Sequence, residues 1–506
     1  MKIHTADGVV RGIAGRHVDR WLGIPFAAPP VGELRLRAPQ PVTPWVGVRD
    51  ALAFGAAAIQ PRFGTMTGVR RHQPMSENCL TLNVTAPAGP AGSPRPVMVF
   101  IHGGGYLIGT TALGLYSGSR LAARGDVIYV SLNYRLGPLG YIDFGRYGTA
   151  DRRFDNNLGL RDQVAALEWV QRNIAAFGGD PDNVTIFGES AGAAAVCALL
   201  ATPAAKGLFH RVIAESAPAD WVVDPATADR YAHDTLVELG VDPGDHAAAT
   251  DALGKVDAHE LRRASARVAR AQMRERPGLP DTAPVVDGEY LPQSPTAAMR
   301  DGNAHRVPLI IGTNRNEATL FSRFDEGLPT DQARLTKLFA GADPRVVAQL
   351  NGVYGSYTDG RRSIRLGGDY AFWRPTIDAC EGHSSYAPTY NYRYDFAPPV
   401  LNRSGFGATH AWEMFAVFGY GDTAAGRVLT AGGRRTMRAL IGQVQGQWLS
   451  FARTGAPQPS WPAYTADRRA TLVFDKHTRV VDDIDQQRRL AWAAYRDASA
   501  EPGTAA

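Results

Sequence analysis

The sequence predicts an α/β fold in which a large, mostly parallel central sheet carries helices on both faces and antiparallel strands at its N-terminal edge. Three observations lead to it. Val97-Met98-Val99-Phe100-Ile101 and the run 127–134 are almost uniformly apolar, as strands covered on both faces are. Between 159 and 214 a helical pattern, a β-branched run, an alanine-rich segment and another apolar run follow one another, an alternation that demands parallel strand pairing. The 506 residues, 44% hydrophobic and 20% charged, suffice to bury a large core, although length alone also permits several smaller domains.

Taken in order, Gly8-Val9-Val10-Arg11-Gly12 and Arg20-Trp21-Leu22-Gly23-Ile24-Pro25-Phe26 are short strands bounded by Gly and Pro. The proline-rich stretch 29–44 is loop or extended chain. Cys79-Leu80-Thr81-Leu82-Asn83-Val84 alternates as a half-buried strand does. In 159–177, Leu160, Val164, Leu167, Val170 and Ile174 recur at helical spacing, and Gly178-Gly179 closes the helix. A strand at 184–189, a helix at 191–200 and a strand at 211–214 come next. The Ala-, Arg- and Glu-rich span 225–280 predicts a helical insertion, and its basic part, 262–276, is a solvated helix face. Sheet resumes at 307–313, a mixed insertion follows at about 323–385, and 390–394 is again strand. A helix at 434–452, a strand at 470–474 and a last helix complete a single domain over 1–497, with 498–506 expected as a disordered tail.

Composition excludes several classes of function. The net charge of +5 is interleaved rather than concentrated in a stripe, which argues against nucleic acid as a partner. Three widely spaced cysteines, Cys79, Cys197 and Cys380, make neither a metal cluster nor a disulfide framework. The N-terminus has no apolar signal-like core and no run is long enough to span a bilayer, so a soluble, cytoplasmic protein is expected, as a monomer or weak homo-oligomer.

The chemistry centres on Gly188-Glu189-Ser190-Ala191-Gly192, where a strand turns sharply into a helix. Such a turn strains the serine backbone and lifts its hydroxyl above the sheet edge, proposing Ser190 as nucleophile; an ordinary strand-to-helix turn has the same letters. Upstream, His102-Gly103-Gly104-Gly105 follows a buried strand, and consecutive glycines there can present backbone N–H groups to an oxyanion or simply make a flexible loop. A serine nucleophile needs a histidine base and an acid to orient it, arriving in the order Ser, acid, His in α/β-hydrolases. Glu317, just past the 307–313 strand, and His410, in a glycine-rich loop, satisfy that order. Taken singly, Glu317 reads as a solvated loop carboxylate, and His410, like His305 and His383, as a surface or hydrogen-bonded histidine.

Together with Gly23-Ile24-Pro25-Phe26-Ala27, Ser76-Glu77-Asn78-Cys79-Leu80, Asn133-Tyr134-Arg135-Leu136-Gly137, Leu158-Gly159-Leu160-Arg161-Asp162-Gln163 and Phe177-Gly178-Gly179-Asp180-Pro181, these motifs resemble the type-B carboxylesterases. That family includes bacterial para-nitrobenzyl esterases and, more distantly, cholinesterases. The resemblance implies an α/β-hydrolase fold, a Ser190–Glu317–His410 triad and an oxyanion hole of the Gly104, Gly105 and Ala191 amides. It further implies Ser216 as partner of the triad carboxylate, Glu189 as a gorge carboxylate that tunes the histidine, and an Arg35–Glu77 ion pair.

Departures from the family pattern refine this. Ala58 stands where relatives carry the cysteine that bridges to the Cys79 position, so Cys79 is expected as a free thiol. The stretch 61–75 lacks the tryptophan that holds choline in cholinesterases and carries Arg70 and Arg71, which excludes a choline ester. Gly278 and Pro280 fall where cholinesterases narrow the acyl pocket with aromatics, predicting a wider one whose apolar wall is Trp221, Leu320 and Phe321, residues that equally fit an ordinary core. The expected activity is cofactor- and metal-independent hydrolysis of small to medium, largely uncharged esters. Thioesters, amides, carbamates or lipid esters at the same site, or a non-catalytic binding protein on the same fold, are the alternatives.

Overall fold

The structure, a computed structural model, describes residues 1–68, 71–90, 92–278, 280, 282–324, 327–355 and 359–500, without the side chains of 422 and 497–500. Its centre is a ten-stranded sheet of β1 (Val18–Pro25), β2 (Thr81–Pro87), β3 (Arg95–Ile101), β4 (Ile128–Leu132), β5 (Gly179–Glu189), β6 (Arg211–Glu215), β7 (Leu309–Asn314), β8 (Thr389–Tyr394), β9 (Ala470–Phe474) and β10 (Arg479–Asp482). Across the sheet the order is β10-β9-β8-β7-β6-β5-β3-β4-β2-β1. The strands from β9 to β4 pair in parallel, while β10 at one edge and β2 and β1 at the other are antiparallel. Three short strands near the N-terminus, Lys2–Thr5, Gly8–Arg11 and Val48–Asp50, form a separate small sheet. Lys2–Thr5 and Val48–Asp50 have too little apolar alternation to be read from sequence.

The uniformly apolar strands are uniform because both their faces are covered. In β3, Val97, Val99 and Ile101 join one core with residues of α1 (Leu158–Asn173) and α2 (Ala191–Leu200). Met98 and Phe100 point the other way, into a second core.

The insertion at 225–280 is helical as expected: α3 (Pro225–Glu238), α4 (His246–Lys255) and α5 (Ala258–Glu275). Arg263, Arg267, Arg270 and Arg274 of α5 lie on the exposed face opposite buried Leu261, Ala264, Val268 and Ala269. The second insertion includes α6 (Gly360–Gly368) and α7 (Arg374–His383). The second core is closed by α8 (Arg434–Thr454), through Leu440, Val444, Trp448 and Phe451. The last helix, α9 (Gln486–Ala500), runs into the span expected as tail, so 498–500 are helical; 501–506 lie outside the described residues.

Two of the motifs are structural ties. Arg135, after β4, clamps Asp162 of α1 through Nε and Nη2 at 2.8 and 2.6 Å, both side chains buried. Arg35 Nε lies 3.0 Å from Glu77. Cys79, Cys197 and Cys380 are buried and unbridged, and burial pushes the Cys79 thiol up to about 12. Among the described residues no helix is long and apolar enough to cross a membrane.

Candidate active site

Ser190 stands where β5 ends and α2 begins, at φ +60° and ψ −125°. A non-glycine residue there is strained by about 1–3 kcal/mol, which the surrounding packing must hold in place. That packing leaves no room for side chains beside the serine. A Cβ on Gly192 would lie 2.1 Å from the Ile101 carbonyl oxygen, and one on Gly188 would lie 2.5 Å from the Gly192 backbone. The Ser190 N–H donates to Glu215 O on β6, 2.9 Å away, which fixes the turn to the neighbouring strand.

The glycine loop follows β3 directly. Gly104 has φ +112°, and a Cβ there would meet Ile108 O at 2.2 Å, while Gly105, at φ +62°, faces open space. Gly104 O accepts from the Leu107 and Ile108 amides, both at 3.0 Å, so the loop is folded rather than slack. The N–H groups of Gly104 and Gly105 have no acceptor among the described residues. Ala191, the first residue of α2, likewise presents its amide at a helix N-terminus. The loop is packed against the elbow: a Cβ on Gly103 would lie 3.0 Å from Ser190 Cβ.

Glu317 and His410 come together from separate loops. His410 Nδ1–H donates to Glu317 Oε2 at 2.6 Å, and the other carboxylate oxygen accepts the Asn314 N–H at 2.5 Å. The two loops are stitched to each other. Asn316 N–H donates to Ala408 O at 2.9 Å, its side-chain oxygen accepts the Ala408 N–H, and Thr319 Oγ1 donates to Phe406 O at 2.6 Å. Gly407, at φ +63°, lies so close that a Cβ would be 2.4 Å from Asn316 Oδ1.

His410 Nε2 has no hydrogen-bond partner among the described residues and lies 3.0 Å from Glu189 Oε1, the side chain immediately before the elbow serine. Burial, the largest influence on His410, pulls its pKa down, but the carboxylates of Glu189 and Glu317 outweigh it and raise the imidazole above its ordinary range. Burial in turn raises Glu189.

Sequence reasoning missed part of this environment. Ser216 does not bond Glu317. Its hydroxyl donates to Glu413 Oε1 at 2.6 Å and accepts from Asn314 Nδ2 at 3.1 Å, so it reaches the acid loop only through Asn314. The reason is positional: Ser216 follows β6, and the carboxylate that packs against that strand end is the one three residues beyond His410. Glu413 is buried, also accepts from Asn314 Nδ2, and is raised by burial and by Glu317. Glu215 is buried, accepts the Trp448 indole N–H at 2.6 Å and is raised well above the usual carboxylate range by burial. In the sequence only the position of Glu413, three residues after His410, points to this cluster.

Of the expected pocket wall, Phe321 lies against His410 with ring centroids 4.9 Å apart. Phe372, not singled out from sequence, is closer still at 4.6 Å. Leu320 is half-buried on the turn after Glu317, and Trp221 is half-buried against the first core. A Cβ on Gly278 would meet the Tyr370 ring at 2.9 Å, so an aromatic from the second insertion approaches that position. Arg70 lies outside the described residues; Arg71 is exposed.

Comparison with known proteins gives one answer over nearly the whole chain. The model of the carboxylesterase family matches residues 1–492. The para-nitrobenzyl esterase of Bacillus subtilis (strain 168) is 38% identical over 496 residues, 96% of this chain and 97% of that protein. Phenmedipham hydrolase of Pseudarthrobacter oxydans is 32% identical over 95% of this chain and 96% of its own. Among solved structures, a PNB esterase superposes with a TM-score of 0.85 at 36% identity, covering 97% of this chain and 99% of that one. A Geobacillus stearothermophilus carboxylesterase gives 0.83 at 35% identity, with the same coverage. An elbow serine under strain, a glycine loop with open amides, and a ten-stranded sheet that superposes on esterases from end to end place this chain in the carboxylesterase family.

Proposed function

We propose that this carboxylic ester hydrolase works through Ser190 as nucleophile, His410 as general base and Glu317 as the carboxylate that orients it. The observation that carries the assignment is the 2.6 Å His410–Glu317 hydrogen bond, with His410 Nε2 3.0 Å from Glu189, the residue just before a serine held at φ +60°. His410 Nε2 turns from Glu189 to the Ser190 hydroxyl when an ester is bound; such bonds are commonly loose in the free enzyme. The imidazole takes the serine proton as Oγ attacks the ester carbonyl. The amides of Gly104, Gly105 and Ala191 receive the oxyanion, His410 returns the proton to the leaving alcohol, and water activated by the same histidine opens the acyl-enzyme.

Phe321 and Phe372, packed on His410, give the reaction zone an apolar side, and the buried carboxylates at the histidine disfavour anions, which together favour uncharged esters of small to medium size. Three unbridged cysteines fit a cytoplasmic setting. Ser190→Ala is expected to lower para-nitrophenyl ester turnover by about 10⁶-fold. Near wild-type turnover by that variant would sink the assignment. A matched panel of esters, thioesters and amides over a range of acyl lengths then defines the substrate.

A further inference from the structure

Behind the loop that carries Glu317 lies a cavity of about 470 Å³, open to solvent. Its walls come from that loop, from α6 and from the start of α9. The lining includes Glu317 and Thr319 but none of Ser190, His410, Phe321 or Phe372, so it is separate from the nucleophile's side of the loop. Five arginines line it: Arg315, Arg361, Arg365, Arg393 and Arg488.

Two of the five are consumed by the fold. Arg393 holds Asp395 through Nε and Nη2 at 2.6 and 2.8 Å and Asp485 through Nη1 at 2.6 Å. Arg488 holds Asp369 at 2.7 Å and Asp485, and lies over the Trp373 ring. These contacts occupy Asp369 and Asp485, and the third acid of the lining, Glu317, is held by His410 and the Asn314 N–H. The other three arginines have none to spare. Arg315 comes no nearer than 3.9 Å to Asp395, which Arg393 already holds, and its side chain is 58% exposed. Arg365 stands 3.9 Å from Asp485, which two other arginines share, and is 54% exposed. Arg361 is exposed and has no carboxylate partner among the described residues.

Arg361 and Arg365 are one helical turn apart on α6, a spacing at which like charges repel and weaken the helix unless an anion lies between them. Guanidinium groups match carboxylate and phosphate oxygens in pairs, and low-dielectric walls concentrate their field. The volume is that of a small-molecule site. The geometry points to this cavity as a binding site for a small, multiply charged anion, a polycarboxylate or a polyphosphate, held by Arg315, Arg361 and Arg365. A neighbouring cavity of about 580 Å³ shares Arg361, Arg365 and Arg488 and adds Arg362, leaving room for a longer anion.

The test is titration calorimetry on the full chain with citrate and with pyrophosphate, at constant ionic strength set with sodium chloride. The expected result is saturable binding of one or both, which separates the polycarboxylate from the polyphosphate source. Arg361→Gln/Arg365→Gln should weaken it by at least about tenfold, or ~1.4 kcal/mol, while Arg16→Gln on a remote surface leaves it unchanged. Arg315→Gln, on a different element, should weaken it independently of any effect on α6. No saturable binding of either anion in the millimolar range, binding retained in both variants, or a response reproduced by sodium chloride alone would overturn the site. Binding is read without ester turnover, so the result stands apart from the fate of the Ser190 assignment.

Discussion

At the scale of residues, His410 sits among more acid than an orienting carboxylate requires. Glu189, Glu317 and Glu413 are all buried and act on it, and burial together with their mutual repulsion raises Glu189 and Glu413. Glu189 faces Nε2, the nitrogen that accepts the serine proton in the proposed mechanism, and its charge favours the imidazolium. A base held protonated is inactive, so activity is lost as pH falls through the raised His410 pKa. Removing one carboxylate lowers that pKa and lets the neutral imidazole persist further into acid. Glu189→Gln is therefore expected to move the acid limb of the kcat/KM profile for a neutral ester to lower pH, read from a pH–rate series; an unmoved or upward limb would contradict it. Ser190, Glu317 and His410 were nameable from sequence as candidates because turn chemistry and the order of motifs along the chain can be read without the fold. Ser216 was nameable but not its partner, since Glu413 meets it across 197 positions of chain.

At the scale of elements, the elbow works because α2 lies directly on the end of β3. Gly192 is the point of contact, and nothing larger fits against the Ile101 carbonyl. Gly192→Ala should push α2 from the sheet, destabilise the protein by about 1–3 kcal/mol in urea unfolding, and lower esterase turnover by relaxing the Ser190 turn. Wild-type stability and rate together would show that the helix has room to move. The glycine loop has the same logic: Gly104 is where the chain must turn at positive φ against Ile108 O, and Gly105 opens outward. Strand and helix positions were legible wherever side-chain period was clean. β9 is observed where it was expected, at Ala470–Phe474, whereas the edge strand β10, exposed and short, carried no such pattern.

At the scale of the whole molecule, the Arg135–Asp162 pair joins the segment after β4 to α1 in a fully buried place. Burial alone raises Asp162, and only the guanidinium and the Arg135 amide compensate it. Arg135→Met leaves that carboxylate without its partner and should cost about 3–5 kcal/mol in equilibrium unfolding, several times the effect of cutting the exposed Arg11–Asp50 pair. Comparable losses for the two would place the tie at the surface in energetic terms. The sequence by itself determined the α/β class, the parallel centre of the sheet, the positions of the helical insertions, the family and the candidate nucleophile, base and acid. Those follow from side-chain periodicity, glycine turns and motif order, which act over a few residues. Only the tertiary structure decided that β3 lies between β5 and β4, that Phe372 packs on the imidazole, and that Glu413 gathers Ser216 and Asn314. It also set three arginines from two distant segments around one cavity. These are contacts between residues far apart in the chain, selected by shape and by the need to satisfy buried charge, and no local pattern encodes them.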